Sequence, residues 1–217
     1  MAEVTLFAGP STYGLERAVL LRNSVQLRPP VRRGDVDRLV EAESTPGVLV
    51  ICDGVFQSVP AVSHAELCAA IDAGWQVWGV SSIGAIRAFE LRAEGMRGFG
   101  YVYERLSRHA DFTDDEMCLL HFPEDPWFPL TEALVNLRHA LEARGAALGI
   151  SVDAGAHALA TLSRAWFGDR TPEFMQAALV DAGVPVPDAQ ALLAWTAANR
   201  VKSIDLQRLM QSRPWLR

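Results

Sequence analysis

The chain has 217 residues, half of them hydrophobic, with 21% charged and 8% aromatic residues and a formal charge of −6. That balance describes a globular protein long enough to bury a core without staples, and it argues against extended disorder or a broad surface for nucleic acid or anionic membrane. Three scattered cysteines in apolar runs (Cys52, Cys68 and Cys118) form neither a disulfide framework nor a zinc-ligand pattern.

Strand-like and helix-like segments alternate over the first ninety residues. Val4–Ala8 is a short apolar run closed by Gly9-Pro10, the pattern of a buried strand. A helix is expected from about Tyr13 to Leu21, then a strand at Val25–Leu27 ended by Arg28-Pro29-Pro30. Asp35–Ala42 follows as a helix with Asp35 as its cap. Val48–Cys52 is the clearest strand and ends at Asp53-Gly54. Ser63-His64-Ala65-Glu66 has the spacing of a capping box and opens a helix to about Ala73. Trp75–Val80 is a further strand, and Ser81-Ser82-Ile83-Gly84-Ala85 turns directly into a helix through Ala93.

From Leu130 onward the pattern is helical, with helix starts at Thr131 and at Thr171-Pro172. The expectation is an α/β fold: a mostly parallel sheet with flanking helices over residues 1–145, then a helical part over 146–217 that packs back on the sheet. Neither a basic region followed by a long apolar stretch opens the chain nor does any apolar run reach the ~18 residues of a membrane span, so the expected location is cytoplasmic.

In open parallel sheets, sites form beyond the carboxyl ends of the strands. Three such ends carry polar residues here: Gly9-Pro10-Ser11, Asp53-Gly54 and Ser81-Ser82. Ser82 occupies the place of a nucleophile on a tight strand-to-helix turn, although Gly79-Val80-Ser81-Ser82-Ile83-Gly84 departs from G-x-S-x-G by one extra serine. The amides of Ile83, Gly84 and Ala85 would then face an oxyanion or a carboxylate. The alternative is a serine cap with a glycine that packs the helix on the sheet.

Arg87 is either an anion-holding group or, with Glu90 and Glu94, part of a solvated ion-pair face. His64 is an acid-base candidate or a surface histidine, and Asp53 a site carboxylate or a turn-former. Asp114-Asp115-Glu116 reads as a solvated acidic turn before a metal site. No G-x-G-x-x-G or Walker loop supports nucleotide binding, and no cofactor or metal is expected. Lys202 is the only lysine among twenty basic residues.

The stretches FAGPS (Phe7–Ser11), PPVRRGD (Pro29–Asp35), DGVFQSVPAVSHAEL (Asp53–Leu67), GVSSIGAIRAFELRAEGMRGFG (Gly79–Gly100) and DDEM (Asp114–Met117) together resemble the TfuA family, over roughly the first 140 residues. A weaker likeness continues at Arg200–Asp205. The resemblance implies an accessory protein of peptide backbone thioamidation, with a hydrolase-like Ser–Lys site. It would cleave the thiocarboxylate on the C-terminal glycine of a ThiS-like sulfur carrier and supply sulfide to a YcaO enzyme. YcaO activates the amide with ATP and is helped to engage its peptide substrate.

Carried onto this chain, the serine falls at Ser82, with Ser81 in reserve, and the base at Lys202, whose bland reading is an exposed helix residue. Family members usually have a lysine after the histidine of an HKE stretch, where this chain has Ala65. Loss of that lysine keeps a second reading open, a non-catalytic adaptor for YcaO, peptide and carrier. A nucleotide-binding regulator is a third.

Overall fold

Among the described residues, five strands form one sheet: β1 (Val4–Phe7), β2 (Val25–Arg28), β3 (Val48–Ile51), β4 (Gln76–Val80) and β5 (Arg97–Phe99). The computed structural model describes residues 3–21, 25–55, 59–109 and 112–216. Phe56, Gln57 and Ser58 of the DGVFQSV stretch lie outside the described residues.

The strand order is β2-β1-β3-β4-β5, and every neighbouring pair is parallel. That order is one of the common doubly wound arrangements, in which the chain reverses its direction of travel between β1 and β3. Val-Thr-Leu-Phe and Val-Leu-Val-Ile are buried along their whole length, as central parallel strands covered on both faces must be.

One face packs Phe7, Leu49, Ile51 and Val77 against α2 (Asp35–Ala42), α3 (His64–Asp72) and α4 (Ile83–Glu90). The other face packs Val4, Leu6, Val48, Val50, Trp78 and Val80 against Leu20 of the short α1 (Arg17–Leu20) and a C-terminal helix that supplies Leu206, Leu209 and Met210. Alternate residues of one strand thus feed two cores, which is the period-2 rule applied to a sheet with helices on both sides. After β5 comes α5 (Gly100–Arg108).

The remaining helices are α6 (Leu134–Arg144), α7 (Val152–Arg164), α8 (Pro172–Asp181), α9 (Val186–Ala198) and α10 (Val201–Ser212). The chain divides into two compact units, one of residues 1–112 with 202–217 and the other of residues 113–201. This grouping differs from a boundary near residue 145. Leu134, Leu137 and Ala140 of α6 share an apolar core with α7, α8 and α9, so contacts join α6 to the later helices. Within the first unit, α10 returns to the sheet, and Lys202–Ser212 belongs with strands some hundred residues earlier in sequence.

Local expectations hold unevenly. The capping box at Ser63 is complete: Ser63 Oγ accepts from the Glu66 amide at 3.2 Å, and Glu66 Oε1 accepts from the Ser63 amide at 3.0 Å. Asp35, however, is the first residue of α2 and not its cap; Gly34 holds that place in a left-handed conformation. The Tyr13–Leu21 helix is only Arg17–Leu20, after a 3-10 turn at Pro10–Thr12.

Candidate functional site

The strand ends converge as parallel topology requires. Asp53, just past β3, is buried and binds the loop after β1: its Oδ2 accepts from the amides of Gly9 and Ser11, each at 2.9 Å, and its Oδ1 from the Ser11 hydroxyl at 2.7 Å. The carboxylate therefore fixes the β1 turn at the point where strand order reverses.

One strand over, β4 ends in a strained turn. Ser81 has φ of 66°, uncommon for a residue with a Cβ, and the Ser82 amide donates to the Val80 carbonyl at 2.8 Å, which closes a three-residue γ-turn. Backbone conformations of this kind cost about 1–3 kcal/mol and cluster where a side chain must be presented. The hydroxyl of Ser81 is fully buried and donates to the Lys202 carbonyl at 2.6 Å, so the turn is tied to the start of α10. Ser82 follows as the N-cap residue of α4 with its side chain making no capping hydrogen bond, and it is 6% exposed.

The close approach of α4 rests on two glycines. A Cβ on Gly84 would lie 1.8 Å from the Ile51 carbonyl oxygen, and one on Gly79 would lie 1.9 Å from the Gly84 oxygen. Of the three amides expected to face an oxyanion, Gly84 N–H already donates to the Cys52 carbonyl at 3.2 Å and Ala85 N–H to the Ser82 carbonyl at 2.9 Å. That leaves Ile83 as the amide of this trio best placed for a ligand.

Lys202 is 3% exposed, so the exposed-helix reading does not apply. The cluster also contains Cys52, one of the three cysteines that lie in apolar runs. Burial pushes this thiol well above its ordinary pKa, and the Asp53 charge pushes it further; the Ser81 and Ser11 hydroxyls and the Lys202 charge act in the opposite direction. The thiol therefore stays protonated at neutral pH and is a poor nucleophile. Its strand-end position, directly before Asp53, was the signal that could have marked it.

His64 and Arg87 belong to a different group. His64 Nε2 lies 2.8 Å from Glu90 Oε2, Arg87 pairs with the same carboxylate, and Arg87 Nε donates to the Val62 carbonyl at 3.1 Å. The His64 side chain is 53% exposed. This matches the ion-pair-face reading of Arg87. Ala65 is exposed too, so a lysine there would project from the surface of α3. In the second unit Glu116 is buried and binds Arg138, and Asp115 binds the fully buried Arg170, while Asp114 is exposed as a solvated turn would have it.

Three parallel-strand ends, a strained serine turn and a buried lysine belong to an α/β protein and make the carboxyl edge of its sheet the candidate site. Residues 53–171, more than half of the chain, match the family described as TfuA-like protein, and the chain belongs to that family. The matched region contains Asp53, Ser81 and Ser82 and runs past the expected residue 140, while Ser11 and Lys202 lie outside it. No curated protein matches the chain. No described helix is long and apolar enough to cross a membrane.

Proposed function

We propose that the protein serves peptide backbone thioamidation by hydrolysing the thiocarboxylate of a ThiS-like sulfur carrier, and so supplies sulfide to a partner YcaO enzyme. The observation that supports this reading is the hydrogen bond from Ser81, beside the uncapped Ser82 on a strained strand-to-helix turn, to the backbone carbonyl of the chain's only lysine, which is buried. Family membership supports the association with thioamidation.

In the proposed chemistry the Lys202 amine takes the Ser82 hydroxyl proton as the oxygen bonds to the acyl carbon. The Ile83 amide, at the positive end of α4, stabilises the charge that develops on the acyl oxygen. The carbon–sulfur bond breaks, and the lysine proton leaves with the sulfur as hydrosulfide. Water then attacks the Ser82 ester with Lys202 again as base, which releases the carrier carboxylate and restores the hydroxyl. Ser81 positions α10 through its bond to the Lys202 carbonyl and is not the attacking group.

Purified protein mixed with thiocarboxylated carrier is expected to release sulfide without YcaO or ATP. Ser82→Ala and Lys202→Arg should each remove nearly all release, since arginine stays protonated and cannot act as a base. Absence of release by the wild type, together with tighter peptide binding by YcaO in its presence, would replace hydrolysis with the adaptor reading.

A further inference from the structure

A cavity of about 480 Å3 opens at the carboxyl end of β5, lined among others by Phe99, Gly100, Tyr101, Glu104, Asp205 and Arg208. Asp205 lies in it as an anomaly. It is 1% exposed; its Oδ2 accepts the Val102 amide at 3.1 Å and the carboxylate also takes the Tyr101 amide, yet Oδ1 has no hydrogen-bond partner among the described residues. Buried carboxylate oxygens are rarely left without a donor, and Asp205 is one of the residues that line the cavity.

We propose that this cavity is the subsite for the main chain that precedes the scissile carbonyl, with Asp205 Oδ1 accepting a backbone amide N–H of the acyl substrate. The proposal rests on the assignment of Ser82 and Lys202 as the hydrolytic pair. Register places the two features side by side: Val80 pairs with Phe99, so Ser81-Ser82 and Gly100-Tyr101 leave adjacent strands, whose usual separation is about 4.8 Å. Asp205 follows Lys202 by three residues on α10, one turn and roughly 4.5 Å along the axis. A peptide advances about 3.3–3.6 Å per residue. With its acyl carbon at Ser82, a substrate brings the amide one or two residues upstream to Asp205.

The walls select a slender chain. Gly100 has φ of 92°, and a Cβ there would lie 2.3 Å from the Asp205 Cγ, so backbone already crowds the carboxylate. Burial raises Asp205 to about 6; the Val102 and Tyr101 amides and Arg208 pull it down, and Glu104 pushes it up. A donated N–H favours the ionised form, so binding should tighten between pH 5 and pH 7.

The probe is a synthetic hexapeptide with a Gly-Gly carboxyl end, with a second version in which an ester oxygen replaces the last amide N–H and a third with the preceding amide so replaced. Titrated against the full chain, one ester version should bind about tenfold or more weakly, the loss expected for a hydrogen bond to a charged group. Asp205→Asn keeps a carbonyl for Val102 and Tyr101 but turns an NH2 toward the ligand. It should lose about as much affinity, show no further ester penalty and no rise with pH.

No measurable binding at millimolar peptide, or equal binding of all three versions to the wild type, overturns the subsite. Ester comparisons within the wild type need no variant to fold. If the Asp205 pattern holds while Ser82→Ala still releases sulfide, the subsite stands and the hydrolytic reading fails. If Ser82→Ala is dead and the esters bind normally, the reverse is true.

Discussion

Neighbouring serines on one turn do different work because the backbone turns between them. Ser81 takes the strained positive φ and spends its hydroxyl on the Lys202 carbonyl, while Ser82 emerges at the head of α4 without a capping bond. Ser81→Ala should therefore cost about 1–3 kcal/mol in thermal or denaturant unfolding, because a buried acceptor loses its donor. Ser82→Ala should leave unfolding nearly unchanged while removing sulfide release.

Cys52 offers a contrast, since its thiol is held protonated by burial beside Asp53. Cys52→Ala should keep most activity, whereas a loss as deep as that of Ser82→Ala would make sulfur the nucleophile. Asp205 adds a pH signature. Its folded pKa, about 6, lies above the unfolded value near 3.8, so the native state holds this proton more tightly. The stability this provides is complete below the unfolded value and is lost as pH rises through about 6. The full swing is up to about 3 kcal/mol. Melting curves of Asp205→Asn from pH 4 to pH 7 should lack that decline.

Helix α4 shows how tightly one element can be specified. Gly79 and Gly84 let backbone touch backbone, so Gly84→Ala should cost about 3 kcal/mol or more and yield little folded protein, as overpacking against a carbonyl has no side chain to yield. Elsewhere the local code ran out. β5 is three residues long, too short for any periodicity, and its extended state comes from pairing with β4. The start of α5 has no capping side chain of its own, and its cap is Asp205, 103 positions away. Thr131, read as a helix start, instead accepts the Leu120 amide at 2.8 Å, and α6 begins at Leu134.

Across the whole molecule, residues 113–201 form one continuous stretch with a core of their own, while the sheet unit is assembled from two separated pieces. A fragment of residues 113–201 should fold as a helical domain with cooperative melting. A chain ended at residue 201 should lose the sheet unit, because Leu206, Leu209, Met210 and Trp215 cover one face of it.

What the sequence determined by itself were the features set by near neighbours. These are the buried β1, β3 and β4, the capping box at Ser63, the parallel α/β alternation, the serine turn and the family likeness in Asp53–Gly100. Hydrophobic period, capping residues and turn glycines act over a few positions and are legible there. Tertiary structure alone decided that α10 returns to the sheet, that Lys202 is buried, that Cys52 and Asp53 join the serines, and that His64 and Arg87 share Glu90. Those placements depend on contacts between residues tens to more than a hundred positions apart, which no local pattern encodes.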